Sequence, residues 1–119
     1  MKNTQQAGNV IPFTAAADVV SGQVVRIGNI LGVATAAVAS GAQGLASIDG
    51  VFTVPKVSAA VIGAGESLTW DASAAAFDDN LATPATGDVT GAPAVAFEAA
   101  GNGVTSIAVK FTGVPGTLT

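Results

Sequence analysis

The chain has 119 residues, the length of one domain, and only 10% of them are charged, against roughly 25% in ordinary soluble domains. Its formal charge of −4 combines eight acidic residues with four scattered basic ones, so a basic stripe for nucleic-acid phosphates is not expected. Cysteine and histidine are absent, which excludes disulfides, thiolate metal sites and the commonest general base.

The first part of the chain consists of short strand-like segments separated by turns. Residues 1–9 are polar, lack the apolar core of a signal peptide, and are predicted to form an N-terminal arm. Val10–Thr14 predicts a strand whose proline places it at a sheet edge. Residues 23–27 and 30–34 flank a Gly-Asn pair and predict a hairpin. The alanine-rich residues 36–44 then predict a loop, because no large residue recurs there at helical spacing.

A strand near the middle of the chain follows an Asp-Gly turn signal. Residues 50–56 read Gly-Val-Phe-Thr-Val-Pro-Lys, a run of β-branched and aromatic residues with marked ends. Alternation puts Phe52 and Val54 on one face of this strand. Pro55 has no N–H to donate and ends the pairing there. Lys56 is expected to lie in solvent, as most lysines do.

The second part of the chain resumes the strand pattern after an ambiguous stretch at 57–62. Residues 66–70 alternate so that Leu68 and Trp70 share a face, which favours a core position for Trp70. Phe77 is expected to close a hairpin, and residues 78–88 form the longest surface loop. Residues 94–98 place Phe97 with Val95. The clearest strand is Thr105–Phe111, with Ile107 facing inward, and residues 113–119 are predicted to be a tail.

These segments predict a mainly β fold, a small single-domain β-barrel or β-sandwich with at most one or two short helices. The domain spans residues 10–112, between the arm at 1–9 and the tail at 113–119. A weak repeat relates residues 21–27 to residues 64–70: small, Gly, polar, any, aliphatic, polar, large apolar. No apolar run approaches the ~20 residues that a membrane-spanning helix needs, so the chain is expected to be soluble and made without an export signal.

Candidate chemical sites are few, and each has a simpler structural explanation. Asp78, Asp79 and Asn80, with Asp71 nearby, offer oxygen ligands for calcium, but their spacing does not fit an EF-hand loop and a solvated turn is favoured. Glu66 and Glu98 are conceivable as a glycosidase pair, although nothing in the sequence shows them converging. Phosphate-loop and nucleophile-elbow patterns are absent. The sequence thus predicts no enzyme, no cofactor and no metal site.

The order of the segments resembles a known family. Two elements carry most of the resemblance: Gly-Val-Phe-x-x-Pro-Lys at 50–56 and Ala-Gly-Glu-x-Leu-x-Trp-Asp at 64–71. Residues 22–28, 31–34, 94–100 and 105–111 complete the pattern, which covers about residues 8–111. The chain is similar to the capsid cement, or head decoration, proteins of tailed phages. It departs from that pattern at residues 78–93, where a Val-Thr-Gly-Ala-Pro sequence precedes the late strand.

This resemblance implies a non-enzymatic virion protein, made in the host cytoplasm, that binds the outer surface of an expanded capsid. It would stabilise the shell by bridging major capsid protein subunits, commonly as a homotrimer, with no nucleic-acid or membrane partner. The expected capsid-binding residues are those of the arm: Met1, Lys2, Asn3, Thr4, Gln5, Gln6, Ala7 and Gly8. The expected core residues of the family pattern are Phe52, Pro55, Trp70, Phe97 and Ile107. The alternative is a carbohydrate-binding or adhesion module on the virion, with Trp70 as a sugar platform.

Overall fold

The computed structural model describes residues 10–91 and 93–119, and the prediction of a mainly β single domain is confirmed. Within these residues every regular element is a strand, and no helix is present that could span a membrane. The strands are Val10–Thr14 (β1), Val24–Ile27 (β2), Ile30–Ala34 (β3), Gln43–Ser47 (β4), Asp49–Pro55 (β5), Thr69–Asp71 (β6), Ala76–Asp78 (β7), Val89–Thr90 (β8), Ala94–Ala96 (β9), Ser106–Thr112 (β10) and Thr117–Leu118 (β11).

The strands form three small antiparallel sheets. The first has the order β1-β4-β3-β2, the second β5-β10-β9, and the third β11-β8-β6-β7. All three contribute to one hydrophobic core, in which Leu31 of the first sheet, Ile107 of the second and Phe77 of the third are almost fully buried. Because no sheet is large enough to bury its apolar face alone, the three sheets depend on one another for stability.

The first sheet is apolar on both faces. Val24 lies in the main core, whereas its neighbour Val25 lies in a smaller cluster with Phe13, Val19 and Val38. Adjacent strand residues point to opposite faces, so β2 contributes to both clusters. The predicted hairpin of β2 and β3 is present, and Gly28 takes a φ of 61° in its two-residue turn, a conformation that suits glycine at the first turn position.

The second sheet follows the predicted alternation. Ile107, Val109 and Phe111 of β10 are buried, and Ile107 pairs with Val54 of β5. Phe97, however, follows the end of β9 and is 62% exposed, so its expected core position is wrong. Ala94 and Ala96 occupy the buried face of β9, so alternation places Phe97 on the opposite, outer face together with the partly buried Val95.

Aromatic rings connect the second and third sheets. Phe77 contacts Trp70 edge to face, with ring centres 5.0 Å apart, and contacts Phe111 at 5.9 Å. Phe52 packs against Phe111 at the margin of the core and is only partly buried. Pro55 is exposed at the end of β5, outside the core in which it was expected.

Two pairs of loops share one backbone hydrogen-bond pattern. The first loop pair comprises residues 15–22 and 35–42, and the second comprises residues 57–65 and 97–104. In the first pair, Val19 and Val38 each donate an N–H to the other's carbonyl at 2.8 Å. In the second, Ile62 and Ala100 do the same at 2.8 and 2.9 Å. Each pair is thereby joined by one short antiparallel bridge.

Every one of these four loops also turns at a glycine three residues after its bridging residue. The glycines are Gly22, Gly41, Gly65 and Gly103, with φ between 82° and 92°, a region that side chains strain to enter. Their N–H groups bond to carbonyls in the opposite loop or in the strand residue directly before it, at 2.7–2.9 Å; the acceptors are Ala34, Ala15, Ala96 and Ser58, respectively. The sequence repeat thus related Gly22 to Gly65, but it did not include Gly41 and Gly103 of the partner loops.

The end of the chain is attached to the third sheet. Thr117 and Leu118 form β11 against β8, and Gly116 N–H donates to the Asn29 carbonyl at 2.8 Å. Residues 113–119, described from the sequence as a tail, therefore connect the third sheet to the turn of the first-sheet hairpin. The arm at residues 1–9 lies outside the described residues.

Candidate functional site

Lys56 is buried, and the expectation that it lies in solvent is wrong. Its side chain follows β5 into the interior, where the residue is only 3% exposed. The Nζ atom lies within hydrogen-bonding distance of the carbonyls of Val57 at 2.8 Å, Ser58 at 3.2 Å, Gly101 at 3.0 Å and Val104 at 3.1 Å, and its three N–H groups are shared among these four acceptors. These acceptors come from both loops of the second loop pair, so one ammonium group links the two loops.

This arrangement satisfies a buried charge with dipoles instead of a counter-ion. An isolated ammonium is costly to bury, but hydrogen bonds to a charged donor are about twice as strong as neutral ones. Carbonyl oxygens converge on Lys56 because both loops of the second loop pair point backbone carbonyls toward the interior there. The group therefore holds loop geometry and is not available as a surface ion-pair donor.

Glu66 and Glu98 both bind backbone amides. Glu66 accepts from Gly63 N–H at 3.2 Å with one oxygen and from Asn80 N–H at 3.0 Å with the other. Glu98 accepts from Ala108 N–H at 3.2 Å. Glu66 thus joins the second loop pair to the long loop after β7, and Glu98 joins the same loop pair to β10. Both carboxylates have structural partners that account for their positions.

The acidic residues considered for calcium serve as caps of their own turns. Asp71 Oδ1 accepts from the Ser73 hydroxyl and from the backbone N–H groups of Ser73 and Ala74, and these bonds hold the pKa of the Asp71 carboxyl below its usual range. Asp79 similarly accepts from Leu81 N–H at 3.0 Å. No cluster of metal-ligating side chains occurs within residues 10–91 and 93–119.

Trp70 belongs to the main core and also lines a cleft. It is 7% exposed and contacts Phe77, which leaves little ring face for stacking on a sugar. The cleft has a volume of about 490 Å³ and lies between the first loop pair, the end of β5 and the β6–β7 hairpin. Val20, Pro55 and Ala75 form its apolar walls beside Trp70.

The second loop pair presents apolar side chains to the outside. Val61 is 64% exposed, Phe97 is 62% exposed, and Val104 is also exposed. Val61 points outward because its neighbour Ile62 is buried at the bridge. Together these three side chains define the exposed apolar residues of the second loop pair. Large apolar side chains that are exposed on two connected loops are candidates for contact with another protein.

Charge is distributed unevenly along the chain. Six of the eight acidic residues lie between positions 57 and 109, a range without lysine or arginine. On the second sheet, Lys110 pairs with Asp49, and the Lys110 hydrogen bond and charge hold the pKa of that carboxyl below its usual range. The second loop pair itself carries one charged residue, Glu98, so a surface that contacts it meets mainly apolar and uncharged groups.

Sequence reasoning missed Lys56 and the paired loops, the two features that organise this site. Burial of Lys56 had one available signal, its place directly after a strand in the Gly-Val-Phe-x-x-Pro-Lys element. The loop pairs had another signal: in each loop a glycine stands three positions after an apolar residue. Neither signal reveals which distant segment supplies the partner carbonyls, because that depends on the folded chain.

The chain matches a known protein family. No curated protein sequence matches the chain significantly. The family described as phage cement protein matches residues 5–111, a range that includes both loop pairs, all three aromatic contacts and Lys56. The match covers most of the 119 residues, and the chain therefore belongs to the phage cement protein family.

Proposed function

We propose that this protein stabilises an expanded phage capsid by binding its outer surface and bridging neighbouring major capsid protein subunits. The observation that carries the proposal is the family match over residues 5–111. The form of the domain supports it: hydrogen-bonded loop pairs display apolar side chains, and Glu66 and Glu98 bind backbone amides. Bridging requires surface contacts and no reacting group, which fits a non-enzymatic role.

The direct test is attachment to capsids. Purified protein is mixed with expanded capsids that lack it and, separately, with unexpanded precursor shells, and binding is measured by co-sedimentation. We expect saturable binding to expanded capsids, weak binding to precursors, and a higher temperature of capsid disruption after decoration. Equal binding to both shells, or decoration without any gain in capsid stability, contradicts the proposed role.

The arm is the proposed first point of capsid contact. Residues 1–8 are polar apart from Met1 and Ala7 and carry the positive charge of Lys2. They adjoin β1, which lies at an edge of the first sheet. A polar segment beside a sheet edge is suited to main-chain hydrogen bonding with an extended segment of a partner. We place the exposed apolar residues of the second loop pair in the same interface as its apolar component.

Deletion of residues 1–8 is expected to weaken capsid attachment while leaving the thermal midpoint nearly unchanged. The described core clusters contain no residue before Phe13, so the deletion removes no described core contact. Binding is measured by co-sedimentation and folding by thermal unfolding, with the full chain as control. A truncated protein that binds capsids as tightly as the full chain shifts the proposed contact to residues 78–93. Loss of folding would instead make the arm part of the domain.

We also propose that the protein acts as a homotrimer. A chain in which only 10% of residues are charged leaves apolar and small residues on its surface, which favours close packing between identical copies. Light scattering is expected to give about three times the chain mass of 11.4 kDa as concentration rises. A mass that stays at the single-chain value across a wide concentration range contradicts the trimer without affecting the capsid role.

A further inference from the structure

The two loop pairs have the same backbone pattern but are held by different side chains. In the first pair, Ser40 N–H donates to Asp18 Oδ1 at 2.9 Å, and the Ser40 hydroxyl donates to the Ala16 carbonyl at 3.3 Å. The Ser21 hydroxyl donates across the pair to the Thr35 carbonyl at 3.4 Å. Short polar side chains therefore connect the loops of the first pair at its surface.

The second loop pair replaces these serines. Ala64 precedes Gly65 where Ser21 precedes Gly22, and Asn102 precedes Gly103 where Ser40 precedes Gly41. Alanine has no hydrogen-bonding side chain. The buried ammonium of Lys56 supplies the cross-loop bonds instead, to Val57 and Ser58 on one loop and to Gly101 and Val104 on the other. One interior tether takes the place of several surface bonds.

The bonded backbone is continuous with the exposed apolar residues. Lys56 binds the carbonyl of Val104 itself, and Gly101 follows Ala100, whose bridge to Ile62 fixes the neighbouring Val61. Gly103 N–H donates to the Ser58 carbonyl at 2.7 Å, an oxygen that Lys56 also contacts. A change in the Lys56 tether is therefore transmitted directly to the loop positions that carry Val61 and Val104.

We propose that Lys56 is a positioning residue for partner binding: its buried ammonium fixes the second loop pair in the conformation that presents Val61 and Val104. This inference rests on the proposed capsid role for the identity of the partner. Lys56 itself does not touch the partner, because it is enclosed by carbonyls of its own chain. Rigid presentation favours binding, since loops already in their bound conformation lose less entropy on association.

The test compares Lys56→Met with Lys110→Met. Both changes remove one lysine charge, but Lys110 is half-exposed and pairs with Asp49 on the second sheet. Hydrogen exchange of the Ile62, Ala100 and Gly103 amides reports on the second loop pair. The Val19, Val38 and Gly41 amides, with matching bonds in the first loop pair, provide a reference within the same molecule.

We expect Lys56→Met to accelerate exchange of the second-pair amides by roughly tenfold or more relative to the first-pair amides, because buried carbonyls lose charged donors. The capsid affinity of Lys56→Met is expected to fall by a similar factor at a temperature where the variant is folded. Lys110→Met is expected to leave amide exchange in both loop pairs unchanged. If Lys56→Met accelerates exchange no more in the second loop pair than in the first, Lys56 does not hold the second pair together. If the second-pair amides exchange faster but capsid affinity is unchanged, Lys56 has no positioning role in binding. Failure of the wild-type protein to bind capsids would refute the proposed function while leaving the exchange result intact.

A measurement on the unmodified protein covers the case in which Lys56→Met does not fold. The ammonium protons of Lys56 are expected to exchange with water much more slowly than those of exposed Lys110, observed by nitrogen-15 NMR of the lysine side chains. Slow exchange of Lys56 supports the closed carbonyl cage. Ammonium protons of Lys56 that exchange as fast as those of Lys110 contradict the tether without any substitution.

Discussion

Replacing Ile107 by aspartate is expected to unfold or aggregate the protein. Ile107 is 1% exposed in β10, the central strand of the second sheet, and is paired with Val54. Burying an unpaired carboxylate costs several kcal/mol, a large part of the ~5–15 kcal/mol that stabilises a typical domain. Circular dichroism and thermal unfolding measure the loss.

Ser106→Asp is the matched control for this change. Ser106 adjoins Ile107 on the same strand but is exposed on the opposite face, so its carboxylate remains in water. Substitutions at such surface positions usually alter stability by less than about 0.5 kcal/mol. Cooperative unfolding of Ile107→Asp at the wild-type temperature would show that the inward face of β10 is assigned wrongly.

Phe77→Ala is expected to lower the free energy of unfolding by about 3–5 kcal/mol, the usual cost of removing a buried aromatic side chain. Phe77 has no exposed surface and contacts both Trp70 and Phe111. Its loss therefore leaves a cavity where the second and third sheets meet. Chemical denaturation gives the free energy, and fluorescence of Trp70, the sole tryptophan, reports the change beside the cavity.

Phe97→Ala removes the same side chain from an exposed position. Because Phe97 is mostly in solvent, we expect a small change in stability but weaker capsid binding. Phe77→Ala is expected to show the reverse: a large loss of stability, and little loss of capsid binding at a temperature where it is folded. A comparable loss of stability in the two variants would contradict the placement of Phe97 outside the core.

The candidate site was only partly predictable from sequence. Alternation alone identified the inward face of β10, including Ile107, because that strand is long and its pattern is uninterrupted. The same reasoning correctly grouped Phe97 with Val95 but did not identify their face as the outer one, because the buried face of β9 is taken by the small residues Ala94 and Ala96. It also failed at Lys56, because two of the carbonyls that bind its buried ammonium, those of residues 101 and 104, are more than forty positions away in the sequence.

The sequence by itself determined the all-β class, the β2–β3 hairpin and the family, because short-range alternation, turn residues and local motifs encode these features. The tertiary structure alone decided how three small sheets share one core, how the loops form pairs, and that Lys56 lies inside the second pair. These features depend on hydrogen bonds between segments far apart in the chain. A residue's environment at such a contact is set by its partner's backbone, which no local pattern of side chains specifies.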